Sequence, residues 1–157
     1  NLRQREKGKR NYMQIRSMLQ KDLLSVAEIE KQCFSEPWSE KSLKESLESQ
    51  SYYFLVAEEA EEVVGYMGIS IILEEADVTN IAVKAEYRRC GIAEPLIYRM
   101  VQDCRERGIQ AMTLEVRVGN EPAIQLYRKM GFCSVGIRKN FYQKPTEDAI
   151  IMWKYQL

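Results

Sequence analysis

Apolar and polar positions alternate from Met13 to Met18, with Met13 and Ile15 against Gln14 and Arg16, and this period of two predicts a first strand. The period then changes. Val26, Ile29 and Cys33 recur at helical spacing, which predicts a helix with Asp22 as its N-cap. Phe34-Ser35-Glu36-Pro37-Trp38 breaks that helix. Ser39 reads as a second N-cap, with Trp38 and Leu43 placed as a hydrophobic staple and Leu47 continuing the apolar face. Tyr52 to Ala57 and Val63 to Leu73 are β-rich runs about an acidic turn (Glu58, Glu59, Glu61, Glu62), the pattern of a hairpin. The second run is apolar on both faces, as in a central strand, and Gly65 and Gly68 inside it predict a bend or a close backbone approach. Asp77 to Val83 is a further strand. Leu96, Ile97, Met100, Val101 and Cys104 mark an amphipathic helix ended by Gly108. Ala111–Val118, Phe132–Arg138 and Glu147–Tyr155 read as strands, with a short helix over Pro122–Met130. The order is β-α-α-β-β-β-α-β-α-β-β, an α/β (α+β) chain with a mixed sheet and helices on its faces.

Length and charge narrow the picture. The 157 residues suit one domain, and no repeat or low-complexity linker follows residue 12. Lys+Arg (23) balance Asp+Glu (23), which is unlike the basic footprint of a nucleic-acid binder. The balance is uneven, because residues 1–12 carry five basic side chains and one acidic. That segment is read as a flexible basic tail ahead of one domain, 13–157, whose body is net acidic. No apolar run reaches the roughly 20 residues of a membrane helix. No Cys-x-x-Cys pair occurs among Cys33, Cys90, Cys104 and Cys133, and no signal peptide is evident. These features predict a cytoplasmic protein without a metal. There is no histidine, which excludes Ser-His and Cys-His catalysis. Proton transfer is left to carboxylates, tyrosine, lysine, cysteine or water.

Two segments carry candidate chemistry. The strand ending Ile81-Ala82-Val83 runs into Arg88-Arg89-Cys90-Gly91-Ile92-Ala93-Glu94-Pro95 and a helix. A basic, glycine-containing loop at a helix N-terminus is an anion site, because free N–H groups and the helix dipole both favour negative charge. Gly91 and Ala93 are small enough for a pyrophosphate to approach the backbone, and Arg88 and Arg89 add charge. An ordinary strand-to-helix connection with solvated arginines has the same composition. In the next strand Met112, Leu114, Val116 and Val118 form one face and Thr113, Glu115 and Arg117 the other. A mid-strand carboxylate such as Glu115 serves either as a general base or as a solvated cross-strand partner. Asn120 reads as an N-cap. Tyr127 falls on the face of Ile124, as a core tyrosine does.

Taken together, Arg88-x-x-Gly91-x-Ala93, Leu114-Glu115-Val116-Arg117 and Gly119-Asn120-Glu121-Pro122-Ala123-Ile124-x-Leu126-Tyr127-x-Lys129-x-Gly131-Phe132 strongly resemble the GCN5-related N-acetyltransferase (GNAT) family. Phe34-Ser35-Glu36-Pro37-Trp38-Ser39, Asn80-Ile81-Ala82-Val83, Asn140-Phe141-Tyr142 and Glu147-Asp148-Ala149-Ile150-Ile151-Met152-Trp153 resemble its bacterial ribosomal-protein-alanine group. The resemblance covers about residues 13–157. It implies the GNAT fold, a mostly antiparallel sheet of about seven strands with splayed central strands. It also implies acetyl-CoA as co-substrate. The pyrophosphate would lie on the backbone of Arg88, Arg89, Cys90, Gly91, Ile92, Ala93 and Glu94, and the pantetheine arm along Ile81, Ala82 and Val83, with Asn120 a further contact. The implied general base is Glu115, working through water, and the implied general acid is Tyr127. Phe34, Pro37, Trp38 and Tyr142 would contact the acceptor. That acceptor is the N-terminal amine, alanine favoured, of a ribosomal protein; a lysine side chain, a small amine and a non-catalytic acyl-CoA regulator are the alternatives. Two positions depart from the pattern. Glu94 places a carboxylate beside the expected phosphate, and Phe141 stands where the group often has a second tyrosine. Cys90 matches no family nucleophile.

Overall fold

Seven strands form one sheet in the order β1-β2-β3-β4-β5-β7-β6. They are β1 (Met13–Ser17), β2 (Tyr52–Glu59), β3 (Glu62–Ile72), β4 (Glu75–Val83), β5 (Ala111–Arg117), β6 (Cys133–Tyr142) and β7 (Glu147–Tyr155). The computed structural model describes residues 13–157, and the basic segment 1–12 lies outside the described residues. Every neighbouring pair is antiparallel except β4 with β5. Helices α1 (Leu23–Cys33) and α2 (Glu40–Glu48) pack on one face of the sheet, and α3 (Ala93–Glu106) and α4 (Glu121–Lys129) on the other.

Each face has its own core. Leu55, Met67, Ile69, Met112, Leu114 and Met152 meet Leu96, Ile97 and Met100 of α3. Phe54, Val56 and Tyr66 meet Val26 and Ile29 of α1 and Leu43 of α2. Gly68 shows how tightly the second core closes, since a Cβ there would lie 2.5 Å from the Phe54 ring. The expected close approach is therefore real. The acidic hairpin turns in two residues, Ala60 and Glu61, both at positive φ as a type I′ turn requires.

Strand β4 departs from regular pairing in two ways. First, β4 and β5 share only three rungs, Glu75–Ala111, Ala76–Met112 and Asp77–Thr113, although β4 runs on to Val83 and β5 to Arg117. Beyond Asp77 the strands splay. The edge of β4 towards β5 is left with unpaired backbone groups, while its other edge stays bonded to β3 as far as Val83. Second, Gly68 pairs with Asn80 but Ile69 with Val78, so Thr79 is an extra residue in a β-bulge. Ala76 and Val78 pack towards α3; past the bulge the parity flips, and Asn80 and Ala82 face α1.

Two expectations are corrected. Asp22 makes no side-chain cap for α1. Its carboxylate is instead almost fully buried and accepts from Arg16 Nη1 and Nη2 at 2.7 and 2.9 Å and from Leu19 N–H at 2.8 Å. Burial pushes this carboxyl up, but the Arg16 and Leu19 hydrogen bonds outweigh it and hold it below its ordinary value. Strand β6 runs past Arg138 to Tyr142 because Asn140, at φ 53°, donates its N–H to Asp148 and lets pairing with β7 resume after an irregular stretch. Ser39 caps α2 by accepting from Ser42 N–H, and Gly108, at φ +77°, ends α3, both as expected.

Candidate active site

The splay opens a cleft of about 610 Å³ between β4 and β5. Its walls bring together Glu115, Tyr127, Asn120, Ile81, Phe34, Trp38 and Tyr142, residues from five separate stretches of the chain. Glu115 reaches it from the polar face of β5 and Tyr127 from α4, on the opposite side of the sheet. They face one space because no rung of hydrogen bonds closes the sheet there.

The Glu115 side chain is 16% exposed, and its Oε1 lies 3.5 Å from Arg138 Nε, which reaches across β7. Tyr127 is buried, with its ring edge-on to Phe132 at 5.9 Å. Burial, aided by nearby Tyr142, pushes the Tyr127 phenol well above its ordinary value, so it holds its proton at neutral pH. Tyr142 is pushed up to about 12, first by burial and then by the charge of Glu115. Arg117 lies over the Tyr142 ring at 4.3 Å and also meets Glu147. Phe141 packs edge-on against Tyr142 and presents no hydroxyl.

Asp77 stands at the fork where the strands part. Burial, then the Glu115 charge, pushes it up to about 6, while Arg138 pulls it down. Among the described residues, the buried side-chain polar atoms without a partner are Asp77 Oδ1, Thr79 Oγ1 and Asn80 Oδ1. All three belong to β4 where it leaves β5.

The phosphate-loop residues lie outside the cleft wall, at the far end of β4. Arg89 (φ 62°) and Gly91 (φ +74°) turn the chain into α3. No side chain caps that helix, which leaves its first-turn N–H groups free for an anion. A Cβ at Gly91 would meet nothing within 4 Å, so the glycine serves its backbone angle and leaves an open approach. Arg88 is turned back from the loop. Its Nε donates to Val83 O at 3.4 Å, and its Nη2 contacts Cys33 Sγ at 3.2 Å. Glu94 is paired with Lys129 at 3.0 Å, which offsets the charge expected to oppose a phosphate. Cys90 is exposed, and all four cysteines are free. Asn120 caps α4 through Ala123 N–H and also lines the cleft.

Of the residues expected to contact the acceptor, Phe34 and Trp38 line the cleft, as does Tyr142, while Pro37 does not. Trp38 also packs on the second core, edge-on to Tyr52 at 6.5 Å. Sequence reading missed Glu30, Asp77 and Thr79, and saw Asn80 without a role. Glu30 had a legible signal, since it stands four residues after Val26 and seven after Leu23, on the buried face of its helix. The polar run on β4 had none, because a bulge is not written in side-chain periodicity.

Comparison with known proteins agrees with this geometry. Residues 23–132 match the Acetyltransferase (GNAT) family. A Bacillus subtilis (strain 168) protein, provisionally named [ribosomal protein bS18]-alanine N-acetyltransferase, is 43% identical over 140 residues, 88% of this chain and 93% of that one. The [ribosomal protein bS18]-alanine N-acetyltransferase of Haemophilus influenzae is 36% identical over 137 residues, covering 85% and 92%. The crystal structure of the Escherichia coli ribosomal-protein-S18-alanine N-acetyltransferase superposes with a TM-score of 0.85 at 32% identity, over 92% of this chain and 94% of that one. The chain is an N-acetyltransferase and belongs to the GNAT family.

Proposed function

We propose that this enzyme transfers the acetyl group of acetyl-CoA to the N-terminal α-amine of a ribosomal protein, alanine favoured, by direct attack in a ternary complex. The observation that carries the reading is the meeting of Glu115 and Tyr127 in one cleft, beside the free edge of β4 and the uncapped start of α3. The residues fit the co-substrate. First-turn amides of α3 and the open approach at Gly91 suit its pyrophosphate, and the stretch Ile81–Val83, which has no rung with β5, suits the amides of its pantetheine arm once Val83 O exchanges its contacts with Arg88 and Cys33. The co-substrate brings an activated thioester. An α-amine is largely protonated at neutral pH and must lose a proton before it attacks. Glu115, with Arg138 holding one of its oxygens, takes that proton through a water. Tyr127, still protonated, returns one to the departing thiolate. Phe34, Trp38 and Tyr142 hold the acceptor's first residues, and Pro37 shapes their loop from outside the cleft. The relatives named for ribosomal protein bS18 support this acceptor, and such an acceptor is met in the cytoplasm.

The test follows thiol release from acetyl-CoA with two peptides, one beginning Ala-Arg and one N-terminally blocked but containing lysine. Release with the free-amine peptide alone is expected. Release with the blocked peptide alone would make the enzyme a lysine acetyltransferase and overturn the acceptor assignment.

A further inference from the structure

Glu30 is 1% exposed, yet it carries a carboxylate to the wall of the cleft. All of its hydrogen-bond donors are neutral. Tyr66 Oη on β3 and Asn80 Nδ2 on β4, the latter at 2.9 Å, donate to Oε1; Trp38 N–H donates to Oε2 at 3.1 Å. A buried carboxylate costs free energy unless such donors hold it, and a leucine would fill the space without that cost. The carboxylate is therefore expected to do something an apolar side chain cannot.

What it does is visible in the bonds. The stretch between α1 and α2 has no regular structure, and from Ser35 to Pro37 it is exposed. After Phe34 N–H closes the helix on Glu30 O, Trp38 N–H to the Glu30 side chain is the hydrogen bond that ties this stretch to the sheet. One residue thus fixes both sides of the cleft, the Phe34–Trp38 wall and the bulged part of β4 next to Ile81. The bond from Asn80 Nδ2 to Glu30 Oε1 orients the Asn80 amide and leaves its Oδ1 without a partner.

We propose that Glu30 is the positioning residue for the acceptor, holding the Phe34–Trp38 wall at a set distance from β4 so that the incoming amine meets the face of the thioester carbonyl. This rests on the proposed acceptor-side role of Phe34 and Trp38. The experiment uses the full chain and two readouts, the exchange rate of the Trp38 amide and steady-state kinetics with the Ala-Arg peptide. Glu30→Gln keeps the volume but offers one acceptor oxygen where two served. Its Trp38 amide is expected to exchange at least about tenfold faster, and KM for the peptide to rise about tenfold, the scale of one hydrogen bond to a charged group. The Kd for acetyl-CoA should stay within about twofold, a split that general loosening would not produce. The double variant Glu30→Gln/Asn80→Asp moves the carboxylate to position 80, where it accepts from the new amide and leaves that amide's oxygen for Trp38 N–H. It is expected to restore both readouts. If Glu30→Gln does not fold, Tyr66→Phe carries the test, because Tyr66 bonds Glu30 and has no hydrogen bond to Trp38, so faster Trp38 exchange must pass through the carboxylate. Trp38 exchange at the wild-type rate in a folded variant, or peptide KM and acetyl-CoA Kd rising together, would overturn the proposal. If the unaltered enzyme acetylates neither peptide, the acceptor assignment fails, while Trp38 exchange still decides the role of Glu30.

Discussion

The two halves of the sheet are built differently. From β2 to β4 both faces are covered, by α1 and α2 on one side and α3 on the other, and β3 carries an unbroken run of buried residues from Val63 to Ile69. In β5, β7 and β6 one face lacks such cover. β5 alternates buried with half-buried positions, and β6 is exposed from Cys133 to Phe141. A strand sealed on both sides has side chains committed to packing, whereas a strand with one open face can present Glu115, Arg117 and Arg138 to a ligand. The cleft lies at the join, where three rungs of β4 and β5 are all that hold the halves together as a sheet.

The largest effect expected from this contrast is catalytic and falls on the open half. Glu115→Gln should lower kcat by about 10²–10⁴-fold, the usual contribution of a positioned general base, with acetyl-CoA binding and melting temperature nearly unchanged. A melting temperature that fell with activity would mean that Glu115 is structural. The sealed half should respond the other way. Arg16→Ala leaves Asp22 buried without its cation and strips Glu58 of its partner, so a loss of about 3 kcal/mol in unfolding free energy is expected by denaturant titration. The acetyl-transfer rate per folded molecule should survive that change.

Asp77 sits between the halves and gives a smaller, pH-dependent effect. Its native pKa is raised to about 6 from 3.8, so the folded state holds this proton more tightly than the unfolded chain does. Its contribution to stability is full below about pH 4 and is lost as pH rises through about 6. Asp77→Asn should therefore melt at or above the wild-type temperature at pH 7–8, with the advantage vanishing near pH 4. An advantage that grew on acidification would contradict the assigned cause. Smallest of all should be Ile137→Thr on β6, a residue 62% exposed on the open edge. A change within about 0.5 kcal/mol is expected, and a larger loss would show that this edge is more tightly packed than its exposure indicates.

Local patterns in the chain were sufficient for most elements. The alternation of Met112 to Val116, the helical spacing from Leu96 to Cys104, the Ser39 and Asn120 caps and the stop at Gly108 each rest on a few neighbouring residues, and each stands in the structure, whereas Val118, expected on the same apolar face, is exposed in the turn after β5. The family resemblance singled out Glu115 and Tyr127, and the structure lines one cleft with both. Where the expected role of Asp22 failed, side-chain and backbone donors outside its helix had intervened. Asp22 had the chemistry of a cap, but Arg16 and Leu19 N–H competed for its oxygens, and a bidentate guanidinium in a buried site outweighs one cap bond. The Arg88 side chain lies against Val83 O and Cys33, the latter a contact 55 residues away that the loop's own composition does not announce.

By itself, then, the sequence determined the succession of strands and helices, the faces they bury and, through the absence of histidine, the restriction of proton transfer to groups such as Glu115 and Tyr127. Only the tertiary structure decided that β4 and β5 part after three rungs, that a bulge at Thr79 turns Asn80 towards Glu30, and that one buried carboxylate spans the two walls of the cleft. The reason is the range of the forces. Periodicity and capping act within a turn or two of the chain, whereas strand register, splay and the pairing of buried polar groups depend on residues up to 50 positions apart meeting in one low-dielectric space.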